Sequence, residues 1–253
     1  MNMLKLFWGV AVTFYATCLP LQPAAAADLK ARTAVLVHGA FADGSSWNKV
    51  IPILQQAGLK VVAVQNPLTS LEDDVAAARR AIRDAEGPVV LVGHSWGGVV
   101  ITEAGNDPKV ASLVYVAAYA PDSGQSARDI ASKFPAPPGR EAIAQDEDGF
   151  LRFSEEGVRK YFAADLTPEE QALVAATQGP FHIKGPATAV SHAAWRDKPT
   201  FMVVATKDTV ISPELEKAQV TLAGATAIEV PSSHVAMLSF PKEVAALIVK
   251  AAE

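Results

Sequence analysis

A chain of 253 residues, half of them hydrophobic and 19% charged, suits one globular domain with a sizeable core. Its formal net charge of −5, with no Lys/Arg cluster, excludes the electrostatic footprint of a nucleic-acid-binding surface. Its one cysteine, Cys18, falls in a segment that reads as removable, so the mature chain has no disulfide, thiol nucleophile or cysteine-bound metal.

Residues 1–27 read as a secretory signal peptide. Lys5 supplies the positive start, Leu6 to Leu19 the apolar middle, and Ala24 to Ala27 the small-residue exit before Asp28. The apolar stretch is shorter than the roughly 20 residues of a spanning helix, and Pro20 and Pro23 interrupt its end. An uncleaved anchor is the rival reading. Lipid attachment at Cys18 is a second, but Tyr15-Ala16-Thr17 suits it poorly. Export without disulfides fits a bacterial periplasmic or secreted protein.

Thr33 to Val37 is a continuous apolar run of strand length that stops at His38-Gly39, the signature of a parallel strand buried on both faces. A helix is predicted from Trp47 to Gln56, a strand from Lys60 to Val64, and a helix from Leu71 to Ala85. Strands follow at Pro88 to Val92 and Val110 to Val116. Strands and helices alternating at this spacing imply a parallel sheet covered on both faces. The rhythm breaks over about 121–195, which is polar, carries Pro135-Ala136-Pro137-Pro138-Gly139 and looks helical in pieces. Thr167-Pro168-Glu169-Glu170 is a helix start with a capping box. This insertion reads as a cap over a site, and its aromatics (Phe134, Phe150, Phe153, Tyr161, Phe162, Phe181, Trp195) read mostly as the cap's own core. The rhythm resumes with a strand from Thr200 to Ala205, a helix from Pro213 to Leu222, a strand from Ala227 to Val230 and a helix from Pro241 to Ala252.

The chemistry centres on Gly93-His94-Ser95-Trp96-Gly97, set between a strand and a helix. A Gly-x-Ser-x-Gly turn there is a nucleophile elbow, which lifts the serine hydroxyl clear of the sheet at a helix N-terminus. A serine needs a base, and the base an orienting acid. In this arrangement the chain order is Ser, Asp or Glu, His, and the strand ends converge on one edge. Asp208 follows one later strand and His234 the next, so the expected triad is Ser95, His234 as base and Asp208 as orienting acid. Asp122, where the chain leaves for the cap, is the rival acid. The oxyanion donors are expected to be the amides of Trp96 and Ala40, with Phe41 as the fallback. Phe41 and the Trp96 side chain are expected to shape the substrate pocket. His38 and His94 read as partners of buried backbone groups, and His182 and His192 as cap residues without a spaced acidic partner. No cluster has metal-ligand spacing and no phosphate loop appears, so neither metal nor cofactor is expected.

Together Val37-His38-Gly39-Ala40 with Trp47, Gly93 to Gly98, Lys207-Asp208 with Ile211-Ser212-Pro213, and His234-Val235-Ala236-Met237-Leu238 make a specific set. On these the chain resembles the α/β-hydrolase superfamily, in its cap-bearing esterase branch, which includes the plant methylesterases and hydroxynitrile lyases. The resemblance implies a mainly parallel six-stranded sheet with helices on both faces, an inserted helical cap, and a cofactor-free serine hydrolase. Lyase members carry a lysine after the catalytic histidine and a hydroxyl residue after the first-strand histidine. Here those positions are Val235 and Gly39, which argues against cyanohydrin cleavage. The chain starts close to its first strand, so the superfamily's early antiparallel hairpin is expected to be missing. The expected activity is hydrolysis of a small carboxylic ester through an acyl-enzyme on Ser95. The alternatives are cleavage of another acyl or C–C bond on the same triad, and a non-catalytic small-molecule binder. The oligomeric state is not legible.

Overall fold

The computed structural model describes residues 29–253, and the expected signal segment with Cys18 lies outside them. From the first strand the chain runs through β1 (Thr33–Val37), α1 (Ile51–Gln56), β2 (Lys60–Val64), α2 (Leu71–Asp84), β3 (Val89–His94), α3 (Gly97–Ala104) and β4 (Val110–Val116). An insertion follows, with α4 (Ala127–Ala131), β5 (Ile143–Gln145), β6 (Phe150–Phe153), α5 (Glu155–Gly157), α6 (Pro168–Thr177) and β7 (Phe181–His182). The chain then returns as β8 (Thr200–Ala205), α7 (Pro213–Ala223), β9 (Thr226–Val230), α8 (Ala236–Ser239) and α9 (Pro241–Ala252).

The main sheet has six strands in the order β2-β1-β3-β4-β8-β9, all parallel. β1 and β3 are buried at every residue, as their unbroken apolar runs require, whereas the edge strands β2 and β9 expose part of theirs. From β1 the chain steps outward to β2, then back across β1 to β3. Right-handed crossovers therefore put α1 on one face and α2 and α3 on the other. α9 packs against α1 and closes the first face. β1 and β3 stay paired to their carboxyl ends, but the chains leaving them part towards opposite faces, and such a switch point is the usual place for a site in an open α/β sheet.

The insertion contains helices and also a three-stranded antiparallel sheet, order β5-β6-β7, that the sequence did not suggest. Its strands are 3, 4 and 2 residues long and partly exposed, too short to show an alternating pattern. The Asp146 carboxylate ties the β5–β6 turn by accepting from the amides of Asp148 and Phe150. The capping box expected at Thr167 and Glu170 is formed. The cap aromatics do not make a core of their own. Phe153, Phe162 and Phe181 all close edge-on around Phe41 of the loop after β1, so cap and sheet share one continuous core. Phe134 packs instead beside a small cluster of Ile130, Ile211 and Leu215.

Candidate active site

Between β3 and α3 the backbone reverses at Ser95, whose φ of 53° lies in the left-handed region. A non-glycine residue held there stores about 1–3 kcal/mol of strain. The reversal is tight enough to demand glycine at its base. A Cβ on Gly93 would meet the Gly97 carbonyl oxygen at 2.4 Å, and one on Gly97 the Val37 carbonyl oxygen at 2.5 Å. α3 begins two residues after Ser95 and directs its N-terminal partial positive charge towards the hydroxyl.

The loops after β8 and β9 bring the other two expected residues to the same edge. Ser95 Oγ donates to His234 Nε2 at 2.8 Å, and His234 Nδ1 donates to Asp208 Oδ2 at 2.6 Å. All three side chains are buried. The second Asp208 oxygen accepts from the amides of Val210 (2.7 Å) and Ile211 (3.0 Å), which leaves Oδ2 for the imidazole. The rival acid is elsewhere: Asp122 forms an ion pair with Arg196, and the Arg196 hydrogen bond holds its carboxyl below the usual range.

Ala40, Phe41, Ser95 and Trp96 share the wall of a cavity of about 320 Å³. Among the described residues the amides of Ala40, Phe41 and Trp96 find no protein acceptor. The expected donors Ala40 and Trp96, and equally the fallback Phe41, thus have N–H groups without a protein acceptor among the described residues. Phe41 lies in the left-handed region (φ 60°) and turns its ring into the cap aromatics. The Trp96 ring packs on Phe181 at 4.9 Å.

His38 and His94 bond to backbone, as expected. His38 Nε2 accepts from the Asn66 amide at 2.9 Å, and its Nδ1 donates to the Gly39 carbonyl. His94 Nε2 donates to the His234 carbonyl at 2.9 Å, while its buried Nδ1 has no partner. Burial, with His234 adding to it, pushes the His94 imidazole well below its ordinary pKa, so it is neutral and fixes the backbone of His234. His192 corrects the expectation that it lacks an acid, because its Nε2 lies 2.7 Å from Asp197 on an exposed face.

Three acids that sequence reasoning passed over support the site. Asp74 of α2 is fully buried, and its oxygens accept from Trp96 Nε1 and the Leu68 amide, each at 2.7 Å. Burial pushes its pKa up to about 6 against the pull of those two bonds. Its spacing from Leu71, Val75 and Ala78 on the apolar face of α2 was the available signal. Glu216 of α7 is buried beside Asp208, with one oxygen accepting from the Ala205 amide at 3.0 Å and the other unpartnered. Burial first, then the Asp208 charge, raises its pKa well above the carboxylate range, so it is a neutral acid. Asp165 in the cap accepts from the Ser233 amide at 2.9 Å and from the Ser233 hydroxyl, one residue before His234.

A profile of the Alpha/beta hydrolase family matches residues 34–247. Salicylic acid-binding protein 2 of Nicotiana tabacum is 27% identical over 251 residues, covering 86% of this chain and 96% of that protein. A carbendazim hydrolyzing esterase of Nocardioides sp. is 35% identical over 130 residues, so the match spans 46% of this chain and about half, 52%, of that relative. The crystal structure of polyneuridine aldehyde esterase superposes with a TM-score of 0.75 at 21% identity, over 88% of this chain and 100% of that one, which shows a shared fold. With the family match running from the first strand into the last helix, this chain belongs to the alpha/beta hydrolase family.

Proposed function

We propose that this protein is an exported serine esterase that cleaves a small carboxylic ester through an acyl-enzyme on Ser95. One observation carries the reading: Ser95 of the hydrogen-bonded chain Ser95–His234–Asp208 lines a cavity together with Ala40, Phe41 and Trp96, whose backbone amides have no protein acceptor among the described residues. His234 takes the Ser95 proton as Oγ attacks the ester carbonyl, and Asp208 stabilises the imidazolium that forms. The amides of Ala40 and Trp96 bind the oxyanion. His234 returns the proton to the departing alcohol, then activates a water that releases the acid and frees Ser95. Ester chemistry also stands in the names of the Nocardioides relative and the superposed structure. Export rests on the signal-like residues 1–27.

Lyase chemistry is disfavoured at Gly39 as well as at Val235. A Cβ on Gly39 would fall 2.7 Å from Ser95 Cβ, so no hydroxyl side chain fits there. A fluorophosphonate probe should label wild-type protein and not Ser95→Ala, and short p-nitrophenyl esters should turn over. A folded protein that neither labels nor hydrolyses any ester, amide or lactone in a panel of graded acyl length is a binder, and the proposal is then wrong.

A further inference from the structure

The wall of the Ser95 cavity is mostly apolar, with Phe41, Ile143, Leu151, Phe181 and Ile211 among its members, and it includes no Asp or Glu. Its two charged members are both cations, Arg128 and Arg140. Neither pairs with a carboxylate among the described residues; the arginines that do, Arg79, Arg83, Arg159 and Arg196, lie outside this cavity. Both side chains are exposed, which places them at its open rim.

The backbone beneath them is held firmly. Arg128 sits in the first turn of α4, whose start is closed by a reciprocal capping box between Ser126 and Asp129. Arg140 follows Gly139, whose amide donates to the Thr209 carbonyl at 2.8 Å. A Cβ on Gly139 would lie 2.6 Å from that same oxygen, so Arg140 is carried on a segment pressed against the loop of Asp208. Arg140 shares this wall with Tyr119, so its side chain belongs to the cavity and not only to the outer surface. A cavity built only for an apolar ester has no use for two uncompensated guanidinium groups at its rim. Their planar forks suit a carboxylate, and a low-dielectric wall beside them strengthens the attraction.

We propose that Arg128 and Arg140 bind an anionic group, a carboxylate in the first instance, on the substrate. The preferred substrate is then an ester whose acid or alcohol part carries a second, ionised group. This rests on the esterase reading above and adds the substrate class to it.

Two matched pairs of esters test it. Mono-p-nitrophenyl glutarate and p-nitrophenyl pentanoate share a leaving group and acyl length and differ in a terminal carboxylate. Para-carboxyphenyl pentanoate and phenyl pentanoate place the same difference on the alcohol side. Wild-type enzyme should favour the charged member of at least one pair by about tenfold or more in kcat/KM, expressed in KM. Added salt should shrink that preference, a readout that needs no variant. In the Arg128→Gln/Arg140→Gln double variant the ratio should fall to about one. Turnover of the neutral esters with no preference in either pair overturns the assignment and leaves the esterase intact, as does a preference that survives the double variant. Failure on all four esters, with no fluorophosphonate labelling, removes the esterase reading and this one with it.

Discussion

Replacing Asp208 with asparagine changes one atom type and preserves shape, yet the hydrogen bonds around it dictate a large effect. Oδ1 accepts from the amides of Val210 and Ile211, so the asparagine oxygen must occupy that position. The side-chain NH₂ then faces His234 Nδ1, where Oδ2 accepted a hydrogen bond before. Two donors cannot share that contact, so His234 shifts its proton to Nε2. Nε2–H now points at Ser95 Oγ and can no longer take its proton. The wrong tautomer lowers kcat by about 10⁴ where it has been measured in another triad, about 5 kcal/mol of transition-state stabilisation. Asp122→Asn supplies the control. It weakens an ion pair with Arg196 whose arginine is half exposed, which is worth about 0–1 kcal/mol of stability and little activity. The assay is kcat for a p-nitrophenyl ester near neutral pH, with thermal unfolding of both variants in parallel. A folded Asp208→Asn enzyme within tenfold of wild type, or a crippled Asp122→Asn enzyme, refutes the reasoning.

Ser95→Ala should lower kcat by about 10⁶ while moving the unfolding temperature little, since it deletes one hydroxyl; burst and steady-state kinetics alongside calorimetry check it. Glu216→Gln should keep most activity, because the amide reproduces the neutral acid towards Ala205 and Asp208. In wild type the folded state retains a proton at Glu216 that the unfolded chain releases, so stability should fall as pH climbs above the ordinary glutamate range. Urea titrations across pH should show Glu216→Gln flattening that fall, and an unchanged slope counts against a buried neutral acid. Gly93→Ala should destabilise by about 3 kcal/mol, because its methyl would sit 2.4 Å from a backbone oxygen that cannot yield without opening the elbow. Intact-mass analysis of exported protein should find a start at or near Ala27 or Asp28, and a mass that retains Met1 to Ala26 rules out a cleaved signal.

The central sheet was legible because β1 and β3 are covered on both faces, so burial writes itself as unbroken apolar runs. Ser95, Asp208 and His234 were legible because each lies within four residues of a strand's end, and the parallel topology sends all strand ends to one edge. The three-stranded sheet of the cap was not, since strands of 2 to 4 residues carry no period. Asp74 and Glu216 were hidden for a shared reason. Both lie in the first turn of a helix, among other acids, where the helix dipole already accounts for a carboxylate. For Asp74 the spacing from Leu71, Val75 and Ala78 was the one counter-signal, and the packing shows that both acids turn inward while Glu72 and Glu214 face solvent.

The cap is fastened to the loops that carry the chemistry. Asp165 grips Ser233 beside His234, and Gly139 bonds Thr209 beside Asp208. A lid that swung away as a rigid body would drag both loops and break the alignment at each opening. Access to the cavity is therefore expected with the cap in place. For the engineer this sets a rule of inheritance: a cap transplanted from a relative must bring its own counterparts of Asp165 and Gly139. Without them the new roof stands on a catalytic floor it no longer holds in register.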